Sequence, residues 1–158
     1  MRRLISSVNE FLLSLCELCM VVMVVIILMQ IASRGFVGRS FMWTEEMARY
    51  LFIFIVVMGG AVIFGRGSHI MVDLIYVRVG YVGKNALTIF GSLCSVAVAC
   101  VFVVKGAELA RRTMVQTSPS LLIPMGYVYA MFPVAGVVML ANIFMYTFDY
   151  LRNSAEKK

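Results

Sequence analysis

The chain has 158 residues, 62% hydrophobic and only 14% charged, whereas a soluble domain is about a quarter charged. Its apolar surplus exceeds what a soluble core of this length can hide, which excludes an ordinary globular protein and makes lipid the solvent for much of the surface. The net charge of +6 comes from 14 Lys and Arg scattered between apolar segments and at the ends, without a basic stripe interleaved with aromatics; they read as orientation charges flanking membrane spans, not as a nucleic-acid surface.

Four apolar runs follow in order, at residues 11–32, 47–64, 86–104 and 125–148. Each approaches or exceeds the roughly 20 helical residues needed to cross a hydrocarbon core about 30 Å thick. They predict an all-α integral membrane protein, a single four-helix domain over residues 1–158, with short loops. Arg2 and Arg3 resemble the start of a signal peptide, but the first run is too long for an h-region and no small-residue cleavage site follows cleanly, so it reads as a retained span. Cys16, Cys19, Cys94 and Cys100 fall inside spans and read as small buried hydrophobes rather than a disulfide framework. Glu17 is the acid well inside an apolar run, placed to reach headgroups or a partner. Gln30 and Asn142 read as polar glue between helices.

The second run opens on Trp43-Thr44-Glu45-Glu46-Met47-Ala48-Arg49. Thr44 is expected to be the N-cap, with Glu45 and Glu46 at the positive end of the helix dipole and Arg49 four residues beyond Glu45. These residues fit a well-capped helix start, and they also fit a charged cluster kept near lipid for a partner. In the segment 65–85 that follows, Arg66, His69 and Asp73 share one face of a predicted in-plane amphipathic helix, and Ile70, Met71, Leu74 and Ile75 cover another. Small residues suggest contact faces at Gly59-Gly60-Ala61, at Gly91, Ser95 and Ala99, and at Gly126 and Ala130. Trp43, Phe41, Tyr127 and Tyr129 suit one membrane interface, and Tyr76, Tyr81, Tyr146 and Tyr150 the other. Even-numbered spans place both termini on one side. That side carries eight Lys and Arg against six on the other, which favours cytoplasmic termini.

Several local patterns imitate catalytic motifs. Cys16-Glu17-Leu18-Cys19 is formally a CxxC, as in a membrane thiol oxidase that reduces quinone, but it sits near the predicted cytoplasmic end of span one, and a thiol in lipid is a poor nucleophile. His69 and Asp73 lack a third metal ligand or an adjacent nucleophile. Gly80 to Asn85 is too short for a P-loop and has Asn85 where Ser or Thr should stand. The spans also lack the dense polar lining of an ion path. The reading is of a non-enzymatic scaffold with no metal and no cofactor. A four-helix thiol/quinone oxidoreductase and a small channel are the alternatives.

One ordered set of motifs covers most of the chain: Gln30 and Arg34; Trp43 through Glu45, Glu46, Arg49 and Tyr50; Gly60; Gly67-Ser68-His69 through Asp73; Gln116-Thr117-Ser118-Pro119 through Pro124; then Tyr129 and Pro133. From Gln30 to Pro133 this set resembles the DctQ-like small membrane subunit of tripartite ATP-independent periplasmic (TRAP) transporters, departing from it at Ser33, where a bulkier apolar residue is expected. The resemblance implies a sodium-driven system in the bacterial inner membrane. In it, a periplasmic binding protein delivers an organic acid to a large elevator-type membrane subunit, and this chain packs beside the large subunit in the lipid as a fixed scaffold. It further implies that Trp43, Glu45, Glu46, Arg49, Ser118, Pro119 and Pro124 form a partner interface on the periplasmic side, and that Arg66, His69 and Asp73 belong to a structural loop on the cytoplasmic side.

Overall fold

A computed structural model describes residues 2–37, 41–64 and 81–155, with side chains for 5–36, 41–64 and 89–148. The predicted in-plane helix, with Arg66, His69 and Asp73, lies outside them. Among the described residues there are five α-helices: α1 (Arg2–Val37), α2 (Met42–Ile63), α3 (Tyr81–Arg112), a short α4 (Met125–Tyr129) and α5 (Met131–Ala155). Four stretches are long and apolar enough to cross a membrane: Ile5–Phe36, Met42–Ile63, Ile89–Val115 and Met125–Phe148. The architecture is therefore the expected all-α, four-span one.

The 36 residues of α1 rise about 54 Å. The last span is divided at Ala130, the C-cap of α4. Pro133 stands in the first turn of α5 and has no N–H for the Tyr129 carbonyl four residues back, so the chain re-aims there.

Packing follows α1 on α2, α2 on α5 and α5 on α3, with α4 against the end of α3. The core is built from small and flexible side chains, with Ala61, Ala99 and Ala135 fully buried and Met58, Met139 and Ile143 nearly so. In lipid, association gains little from apolar burial, so close backbone approach matters more. At Gly136 a Cβ would stand 2.7 Å from Val103 Cγ2 and 3.0 Å from the Ala99 carbonyl, so α3 and α5 meet there almost backbone to backbone. Of the predicted contact faces, Ala61, Ser95 and Ala99 are buried, while added Cβ atoms at Gly59, Gly60 and Gly91 would meet open space.

Polar groups join the helices as predicted for Asn142, which is 2% exposed. Its side-chain amide exchanges two hydrogen bonds with that of Asn9 on α1, at 2.8 and 3.1 Å, and its Nδ2 also donates to the Ala61 carbonyl of α2 at 3.1 Å. One residue thereby ties three helices. Outside the core, 36 large hydrophobic residues among those described are exposed, from Val8 to Phe148, the exterior of a chain solvated by lipid or by another membrane protein.

Candidate functional site

The polar residues of the predicted partner interface gather at one end of the bundle, where α2 begins and α3 hands over to α4. Helix α3 closes in a 3₁₀ turn, Thr113–Val115, with the Thr113 hydroxyl donating to the Leu109 carbonyl at 2.8 Å. The following segment, 116–124, folds back on itself. Met125 N–H donates to the Gln116 carbonyl at 2.8 Å, and Ser118 N–H donates to that of Ile123 at 2.9 Å. Thr117 and Pro124 form an isolated antiparallel bridge. Pro119 follows Ser118 at a position where its fixed φ suits a turn, and Leu121 N–H donates to Ser118 Oγ at 3.2 Å. Leu122 at the tip has φ 54°, a left-handed conformation that costs a non-glycine residue roughly 1–2 kcal/mol. At the loop's far end a Cβ on Gly126 would stand 2.6 Å from the Ala110 carbonyl, so only glycine lets α4 sit this close to α3.

Glu46 holds this loop to α2. Its Oε2 accepts the backbone N–H groups of Ser120 at 3.1 Å and Leu121 at 3.0 Å. Its Oε1 accepts the Tyr50 hydroxyl at 3.0 Å, which also lies 3.2 Å from Met125 Sδ. Neighbouring Glu45 points elsewhere and pairs with Arg49 at 3.0 Å, both side chains about two-thirds exposed. The helix thus separates two acids that are adjacent in sequence. One is a structural acceptor, and the other belongs to a surface pair.

Thr44 corrects one expectation. Helix α2 starts at Met42 with Phe41 as N-cap, so Thr44 lies inside the first turn. Its hydroxyl donates to the Phe41 carbonyl at 2.6 Å instead of accepting from an orphan amide. Thr44 and Ser118 are buried, Pro119 is exposed, Pro124 is half-buried as the N-cap of α4, and Trp43 is partly exposed beside the Phe41 ring. Sequence reasoning assigned no role to Tyr50, Ser120, Leu121 or Met125. Two of these contribute backbone N–H groups, which leave no side-chain signature. It also passed over Lys105, Glu108 and Arg112, whose i, i+3 and i+4 spacing was readable. Glu108 pairs with both, at 2.9 Å to Lys105 and 2.5 Å to Arg112.

These groups bind one another and leave little reactive chemistry. All four cysteines are free. Among the described residues no three His, Cys, Asp or Glu could hold a metal, and no buried side-chain polar atom lacks a partner. A groove of about 560 Å³ between α3 and α5 is lined by Ile89, Leu93, Val96, Leu140 and Phe144, with Ser92 and Thr147 joined at 3.2 Å.

Comparison with known proteins accounts for such a bundle. The chain is 32% identical over 103 residues to the isethionate TRAP transporter permease protein DctMQ of Oleidesulfovibrio alaskensis, a match covering 64% of this chain and only 16% of that protein. It is 22% identical over 142 residues to a TRAP transporter small permease protein of Haemophilus influenzae, covering 89% of this chain and 88% of the relative. It is also 22% identical over 140 residues to the sialic acid TRAP transporter small permease protein SiaQ of Vibrio cholerae, covering 89% and 79%. Residues 23–153 match the family described as tripartite ATP-independent periplasmic transporters, DctQ component. The four-span bundle is in keeping with that match, and the chain belongs to the DctQ family, the small permease subunits of TRAP transporters.

Proposed function

We propose that the chain is the static scaffold of a sodium-driven, binding-protein-dependent transporter for organic acids, packing against a large elevator-type membrane subunit in the bacterial inner membrane with both termini cytoplasmic. The family is one of transporter components, which is not an enzyme class. The observation that carries the scaffold reading is the use of interior polar groups: the Asn9–Asn142–Ala61 set and the Ser92–Thr147 pair are spent on joining helices. A translocation path needs polar groups held open for a solute. The large partner is supported by the relative whose name joins DctM and DctQ in one permease protein. The organic-acid class is supported by relatives named for isethionate and sialic acid, both acids.

The test is reconstitution. With the large subunit and the binding protein, vesicles under an inward sodium gradient should accumulate an organic acid. The small subunit alone should accumulate none. Sodium-driven uptake by the small subunit alone would refute the scaffold role.

A further inference from the structure

Helix α1 carries two opposite seams with the same repeat. Ile5, Asn9, Leu12, Cys16, Cys19 and Met23 alternate spacings of four and three, are buried or half-buried, and lie on the face turned to the rest of the bundle. The opposite seam, Phe11, Ser14, Leu18, Val21, Val25 and Leu28, is exposed throughout. The repeat alone selects no partner, because positions facing away from a heptad seam repeat with it and lipid would cover them equally well.

Glu17 separates the two occupants. It is exposed on the flank of the outer seam, next to Leu18, and makes no ion pair among the described residues. Glu17 and Arg34 are seventeen residues apart on one continuous helix, a rise of about 26 Å. The hydrocarbon core is about 30 Å thick, and tilt shortens the rise along the membrane normal. The backbone of at least one of these residues therefore falls inside the core. The long stem of Arg34 lets its guanidinium snorkel outward, whereas the shorter Glu17 side chain has far less reach. Acyl chains offer a carboxylate neither a donor nor a countercharge. A second copy of this chain, held parallel by its shared topology, would bring one Glu17 towards the other.

We propose that the outer face of α1 is the docking surface for a transmembrane helix of the large membrane subunit, and that this helix presents a Lys or Arg to Glu17. The assignment rests on the scaffold reading above. In the co-expressed complex, Glu17→Lys should lower the large subunit recovered with the tagged small subunit by roughly tenfold or more, by setting like charges together. Glu17→Gln, which keeps a hydrogen-bond acceptor, should lower it much less. Both variants of the isolated small subunit should elute and melt like the parent, because the side chain is exposed. A photo-crosslinking residue at Val21 should give an adduct with the large subunit, and one at Val101, on the exposed side of α3, should not. Parent-like recovery with Glu17→Lys, a Val21 adduct of twice the small-subunit mass, or equal adducts at Val21 and Val101 would overturn the assignment. If the parent itself recovers no large subunit, the scaffold reading falls with it, an outcome distinct from a stable complex indifferent to Glu17.

Discussion

At the residue scale, adjacent acids on α2 do different jobs, and single substitutions should separate them. Removing the Glu46 carboxylate frees the amides of Ser120 and Leu121, so Glu46→Ala should raise their hydrogen-exchange rates by roughly tenfold. Glu45→Ala should leave those rates as they are. Equal exchange in parent and Glu46→Ala would mean that the loop holds itself. The Glu45–Arg49 pair is about two-thirds exposed and contributes about 0–1 kcal/mol to the subunit's own stability. Arg49→Glu, which sets three acids on one turn, should therefore leave the isolated subunit folded. If the pair also meets the large subunit, co-purification should fall, and the swap of Glu45→Arg with Arg49→Glu should not restore it. Recovery in the swap would show that the pair serves its own helix, and unchanged co-purification with Arg49→Glu would remove it from the interface.

At the scale of elements, glycines should divide by what faces them. Gly136→Ala puts a Cβ within 2.7–3.0 Å of Val103 and the Ala99 carbonyl, an overpacking that costs about 1–3 kcal/mol. Gly60→Ala meets open space and should be neutral or stabilising by up to about 1 kcal/mol through helix propensity. Thermal unfolding of the two variants in detergent checks the contrast, and equal melting would show that α3 and α5 do not approach so closely. The spans themselves were legible, because long apolar runs with few charges have one solution in lipid. Their ends were less so. Helix α2 starts at Met42, before the polar Thr44-Glu45-Glu46 stretch that reads as a cap, because the hydrogen bonds to the Phe41 carbonyl form locally. Pro133 was visible and marks the break before α5. The partners of Glu46 were not, because two are main-chain amides about 75 residues away, brought near by the fold of 116–124.

At the scale of the whole molecule, orientation can be measured directly. If both termini are cytoplasmic, as proposed, cysteines at Ser7 and Ser154 should resist a membrane-impermeant thiol reagent in intact cells and react after permeabilisation. Labelling of either in intact cells would invert the topology. The reciprocal amide pair of Asn9 and Asn142 also bears on how the protein is made. The two residues are 133 positions apart, and at 5–20 residues per second the ribosome needs roughly 7–27 s to travel between them. Through that interval the Asn9 amide lacks this partner, which α5 supplies once it is made. The bond can therefore form only after residue 142 has been made, and a chain truncated before Asn142 leaves Asn9 without that partner.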